Sequence, residues 1–161
     1  MKQLFIAASL ILVLACQNEA KNQSNNLTQN TAIMEKQEIE ALLTEYKTSL
    51  NNSDAQLAQS LYTKDGVFMP TEAPSGIGSE GILKSYEFVF SQIQLNIEFF
   101  IEEIEVEGNM AFAVTNSKGT VKILANGMVV PEANRELFVF EKNDGVWKIA
   151  RYMFNKTEPK S

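Results

Sequence analysis

The chain has 161 residues and a formal charge of -6, with no histidine and one cysteine, Cys16. These absences exclude zinc sites built from Cys and His, Ser-His-Asp triads, Cys-His nucleophiles, haem attachment and any intrachain disulfide. The length suits one ordinary domain held by its own core, and an acidic balance without a basic stripe argues against nucleic acid as a partner.

The N-terminus reads first as an address. Met1-Lys2-Gln3 is a short positive region, and Leu4 to Leu14 is an apolar run ending at Ala15-Cys16, the three-part layout of a signal peptide. A spanning helix needs about 20 apolar residues, and this run stops short of that. Val13-Leu14-Ala15-Cys16 resembles a lipobox. The resemblance implies cleavage before Cys16, diacylglycerol on its thiol, acylation of the new amine, and an exported lipoprotein held on a membrane of the cell envelope. Ordinary cleavage with a stray cysteine and an uncleaved anchor are the alternatives. The next stretch, Gln17 to Asn30, is polar and rich in Asn and Gln, with too little apolar surface to offset the entropy of ordering. It reads as a flexible tether with a reach of about 20 Å. The expected organisation is a leader over 1–15, a lipid-anchored tether over 16–30 and a folded domain over 31–158.

From Thr31 the pattern turns helical. Ile39, Leu42, Leu43, Tyr46 and Leu50 recur at three- and four-residue spacing, which predicts one long amphipathic helix. Asn51-Asn52-Ser53 breaks it, and Asp54 is placed to cap a short second helix carrying Leu57, Ala58, Leu61 and Tyr62. Gly66 to Pro70 has strand composition, and Thr71 to Gly78, with Pro74, Gly76 and Gly78, reads as a loop over one end of the fold. Ser79 is the expected cap of a third helix whose apolar face is Ile82, Tyr86, Val89, Phe90 and Ile93. Four strands follow, over 95–107, 110–124, 130–142 and 146–156, separated by Gly- and Asn-containing turns. They predict an antiparallel meander. In the first strand the apolar parity shifts from Phe99 and Ile101 to Ile104 and Val106, as an inserted residue near Glu102-Glu103 would produce, so a bulge is expected there. Helices followed by a curved antiparallel sheet give an α+β fold with the helices on one sheet face. The acidic cluster Glu102-Glu103-Ile104-Glu105-Val106-Glu107 alternates like a solvated strand face without calcium-loop spacing, and neither a metal site nor a cofactor is expected.

At family level the runs Tyr46 to Asp54, Leu61 to Pro70 and Gly78 to Ile82 resemble the SnoaL-like branch of the nuclear-transport-factor-two-like and ketosteroid-isomerase-like superfamily. Asn134 to Phe140 and Asp144 to Asn155 resemble its SgcJ/EcaC-like members in particular. The resemblance implies a cone-shaped half-barrel with a pocket between the concave sheet face and the long helix. It also implies candidate catalytic positions. The isomerases' helix-one tyrosine falls on Tyr46 and their second acid on Glu136, whereas Met69 stands before Pro70 where their proton-moving aspartate would be. Isomerase-type acid-base chemistry is therefore not expected. Fold alone does not fix activity in such a family.

If Asp144-Gly145 is a two-residue hairpin turn with straight register, Phe140 faces Ile149, Phe138 faces Arg151 and Glu136 faces Met153. Glu136 and Arg151 would then be diagonal neighbours, as a structural salt bridge or as the polar markers of the pocket. The expected pocket also holds Phe68, Met69, Tyr86, Phe90, Phe99, Phe138, Trp147 and Met153, an apolar set suited to a small ligand with one anionic or carbonyl group on Arg151. Leu137, Val139, Ala150, Tyr152 and Phe154 would face the other side of the sheet, which a second copy would cover as a homodimer. Three readings remain: an envelope module binding a small apolar ligand, a SnoaL-like enzyme acting on a polyketide-like or other carbonyl compound, and a dimeric interaction module without a ligand. No Gly-rich dinucleotide fingerprint stands behind an oxidoreductase reading.

Overall fold

The long helix α1 spans Ala8–Asn51 in the computed structural model, which describes the backbone of residues 8–157 and the side chains of residues 29–157. Ile39, Leu42, Leu43, Tyr46 and Leu50 form its buried stripe, as their spacing requires. The helix starts before Thr31, so the backbone over 17–30 is helical where a coil was expected. A polar composition leaves nothing to pack, but once the turns from Ile39 to Leu50 are fixed by packing, each further residue adds a hydrogen bond at little nucleation cost. The chain divides at Glu35 and Lys36 into two units. The second carries the sheet. Cys16 and the leader over 1–15 lie outside the residues whose side chains are described.

Helix α1 ends where Ser53 takes a positive φ of 55° and Asp54 N donates to Ser49 O at 2.9 Å. Asp54 then caps α2 (Ala55–Ser60), accepting from Leu57 N at 2.9 Å. Strand β1 covers Tyr62–Met69, starting earlier than its composition indicates, and β2 is the short pair Gly76–Ile77. Helix α3 covers Gly78–Gln92, and Ser79 lies within its first turn rather than at its cap. Ile77 holds the cap position in extended conformation, paired with Val67 of β1. Strand pairing, and not a side-chain oxygen, therefore sets where α3 begins.

The remaining strands are β3 (Ile93–Glu107), β4 (Met110–Ile123), β5 (Val129–Asn143) and β6 (Val146–Lys156). They form the antiparallel meander expected of them, in a six-stranded sheet of order β2-β1-β6-β5-β4-β3. Helix α3 carries the chain from the β1 edge to the opposite edge at β3, so the meander returns β6 alongside β1 in parallel register. The sheet is thus mixed. It is also curved and unclosed. The bulge expected near Glu102-Glu103 is present, with the β3–β4 register shifting between Ile101 and Glu103. Gly119 adds to the bend: a Cβ there would meet Asn96 O of β3 at 2.1 Å, so only glycine permits so close an approach.

A second bulge was not expected. Asp144 and Gly145 both take positive φ and close the two-residue turn, and Phe140 faces Ile149. Beyond that pair the register slips by one, so Val139 faces Arg151, Phe138 faces Tyr152 and Glu136 faces Phe154. The extra residue is Ala150, buried next to buried Ile149. A slip of one residue exchanges the faces of everything that follows. Tyr152 and Phe154 turn inward, whereas Arg151 and Met153 turn outward.

The core lies between the concave sheet face and the helices. Ile104, Ala111, Ala113, Phe138, Phe140 and Ile149 meet Ile39, Leu43, Tyr46 and Ile82 there. Asn51 fastens the end of α1 to β3, its amide donating to Ile97 O and its carbonyl accepting from Ile97 N, each at 2.9 Å.

Candidate functional site

The core does not fill the wide end of the cone. A cavity of about 780 Å³ opens there, lined from α1, α3 and all six strands. Its deep residues are buried: Tyr46, Phe68, Tyr86, Ile97, Glu136 and Tyr152. Its mouth is formed by exposed Ala73, Pro74 and Ser75 of the β1–β2 loop with Lys84, Phe88 and Lys156. Gly76 seats that loop on α3, since a Cβ there would meet Ser85 Oγ at 2.5 Å and Gly81 O at 2.9 Å. Leu50, Leu95, Val89, Val121 and Ile123 make the walls apolar.

Two polar groups converge at depth. The first is a chain of hydroxyls. Tyr46 and Tyr86 share a hydrogen bond at 2.5 Å, and Tyr86 shares another with Tyr62 at 2.8 Å. Burial pushes all three hydroxyls well above the ordinary tyrosine value, so at neutral pH they are neutral donors. The second group is Glu136 with its partners. Thr115 Oγ1 donates to Glu136 Oε2 at 2.5 Å and Tyr152 donates to Oε1 at 3.1 Å. Burial raises the Glu136 carboxyl, against the hydroxyls of Thr115, Ser117 and Tyr152, which favour its ionised form. Beside it on β5, Asn134 donates to Ser117 Oγ and to Glu132 Oε1, each at 3.2 Å. All four tyrosines of the sequence, Tyr46, Tyr62, Tyr86 and Tyr152, meet in this one region.

Of the residues singled out from the sequence, Tyr46, Phe68, Tyr86 and Glu136 line the cavity. Phe90 and Phe99 support it from behind, with ring centroids 5.7 Å from Tyr86 and 6.0 Å from Tyr46. Phe138 is fully buried and stacks on Tyr152 at 4.2 Å. The other four lie elsewhere. Met69 alternates away from Phe68 and pairs with Met153 across β1–β6, and Met153 is 39% exposed on the outer face. Trp147 lines a separate, smaller cleft with Glu38, Leu42, Glu45 and Leu61. Arg151 donates to Asp65 O at 3.3 Å and to Ala150 O at 2.6 Å, so it neither pairs with Glu136 nor reaches the cavity. Tyr152 takes the place expected for Arg151. The residues missed are those the Ala150 slip turns inward, Tyr152 and Phe154, together with the β4 and β5 groups Thr115, Ser117 and Asn134. One signal in the sequence marks the slip: the aromatic and apolar parity changes from Trp147 and Ile149 to Tyr152 and Phe154.

A cone of α1 and α3 over a bent six-stranded sheet, open at its wide end, is the frame in which this site sits. The profile of the SnoaL-like domain matches residues 39–154. The chain belongs to the SnoaL-like domain family. Among solved structures it is similar to a ketosteroid isomerase-like protein from Erwinia carotovora atroseptica, at 32% identity and a TM-score of 0.72, covering 75% of this chain and 95% of that one. It is also similar to a nuclear-transport-factor-two-like superfamily protein from Salmonella enterica, at 21% identity and a TM-score of 0.68, covering 78% of this chain and 93% of that one. A hexachlorocyclohexane dehydrochlorinase shares the fold at 13% identity and a TM-score of 0.69, covering 78% and 87%. No curated protein matches the sequence. Among the described residues no helix is long and apolar enough to cross a membrane, and no group of three His, Cys, Asp or Glu side chains is placed to hold a metal ion.

Proposed function

We propose that this SnoaL-like domain binds a small, largely apolar ligand in its cone, with Glu136 and the Tyr46–Tyr86 hydroxyls as the polar contacts. One observation carries the reading. A cavity of about 780 Å³ is bounded by apolar and aromatic walls and has a few convergent polar groups at its depth. Small-molecule sites have this form and volumes of roughly 300–1,000 Å³. The polar end of the ligand meets Glu136 and tyrosine hydroxyls rather than an arginine, so the anionic group expected from the sequence has no counter-charge at depth. Cys16 adds a location: lipid on its thiol would hold the domain in the cell envelope, close to a membrane where apolar molecules partition. Within the family, the Asn134 to Phe140 and Asp144 to Asn155 runs favour the SgcJ/EcaC-like branch.

A second reading is an enzyme acting on a carbonyl compound. Glu136 favours it, because a carboxyl raised toward neutrality beside neutral tyrosine donors is equipped to exchange a proton. Met69 counts against isomerase chemistry, being a thioether that turns away from the cavity. Native mass spectrometry of the purified protein, followed by incubation with any co-purified molecule, separates the two. A bound molecule recovered unchanged supports the binding role, whereas conversion that stops in Glu136→Gln supports the enzyme. A protein that accepts neither co-purified nor added apolar molecules would sink both.

A further inference from the structure

Among the described residues, one charged group at the cavity has no ion-pair partner. Four charged side chains line it: Lys84, Glu132, Glu136 and Lys156. The two lysines sit at the exposed mouth, Lys84 paired with Glu80 at 2.6 Å and Lys156 with Glu132 at 3.0 Å. Glu136 is only 4% exposed and lies deepest, and no described cation reaches salt-bridge distance of it. Thr115 and Tyr152 each occupy one lone pair of its carboxylate, and with the Ser117 hydroxyl also beside it the carboxylate still has acceptor capacity to spare.

We propose that the cavity takes an apolar organic cation, an amine or quaternary ammonium compound whose charged end pairs with Glu136. The inference rests on the ligand-binding reading above and names its ligand class. A buried carboxylate without a counter-charge loses hydration with little in return, and a ligand ammonium would supply the missing partner. A ligand carboxylate would instead meet a like charge in a dry site. The rings of Phe68, Tyr86, Tyr152 and Phe154 line the same cavity and add the aromatic surroundings in which organic cations are held. The net charge of -6 acts in the same direction, drawing cations toward the protein.

The test compares three benzyl probes of similar size and different charge: benzyltrimethylammonium, its neutral carbon isostere neopentylbenzene, and phenylacetate. Each competes with Nile red, a neutral dye that fluoresces in apolar cavities, on the full-length protein. The expected order is cation, then neutral isostere, then anion, with about tenfold between the first two. In Glu136→Gln the cation and the isostere should converge. The proposal is overturned if the isostere binds as well as the cation in the wild type, or if the cation's advantage survives in Glu136→Gln. Should that variant not fold, the wild-type order alone decides. Dye and isostere binding without a cation preference overturns only the ligand class. If neither dye nor any probe binds, the ligand-binding reading fails with it.

Discussion

Tyr152 donates a hydrogen bond to Glu136 at 3.1 Å across the β5–β6 ladder, because the extra residue Ala150 turns Tyr152 inward in place of Arg151. The bond joins a neutral donor to a buried carboxyl, and hydrogen bonds to ionised partners contribute about 1.5–3 kcal/mol. Tyr152→Phe keeps the ring stack on Phe138 and removes only the hydroxyl. We expect it to lower stability by about 1–3 kcal/mol at neutral pH, read from the denaturant midpoint. In a double-mutant cycle with Glu136→Gln, strictly additive effects would show that the two side chains do not interact.

The tyrosines offer a direct optical check on burial. All four have hydroxyls raised above the ordinary tyrosine value, mainly by desolvation. Alkaline titration followed by tyrosinate absorbance should therefore show almost no ionisation in the folded protein through pH about 10, then a rise that coincides with unfolding. Gradual ionisation of one or more tyrosines while the fold is intact would contradict the buried cluster.

Glu136 makes stability depend on pH in a direction opposite to that of an ordinary salt-bridged acid. Its folded-state value is raised, so the folded protein holds the proton more tightly than the unfolded chain. Its contribution is then most favourable below the unfolded carboxylate value and is lost as pH rises through the raised folded value. The titratable group hydrogen-bonded to it, Tyr152, stays neutral over that window. Wild type should lose stability relative to Glu136→Gln as pH rises from about 4, the unfolded carboxylate range, through the raised folded value. A difference between the two that does not change with pH would refute the assignment.

The outer sheet face carries exposed Phe100, Met110, Phe112, Leu137 and Met153. We propose that a second copy covers it. Light scattering should give a dimer for wild type and a monomer for Phe112→Asp or Leu137→Lys, both folded by circular dichroism. A wild-type protein that stays monomeric at high concentration would reject this interface.

Most of the fold was legible because its signals are local. The three- and four-residue spacing of Ile39 to Leu50 marked the face of α1, and Asp54 announced the cap of α2. The parity change around Glu102 located the β3 bulge. The site was less legible because one residue decides it. A straight hairpin placed Arg151 and Met153 in the pocket, whereas Ala150 exchanges them for Tyr152 and Phe154. The same parity test that found the first bulge was available at Ile149-Ala150, but Ala150 is small and weakly apolar, so as an inserted residue it leaves a faint mark. The pairing of β1 with β6 is non-local and had no such mark at all.

We propose above that the space between the helices and the bent sheet holds a small molecule. The most direct test of this proposal is Nile red titration of the wild type against Val121→Trp, a substitution at a buried β4 position lining the cavity wall. Saturable binding to the wild type and its loss in a folded Val121→Trp protein is the predicted result. Equal binding by both proteins would place the dye elsewhere and contradict the assignment of the cone as the site.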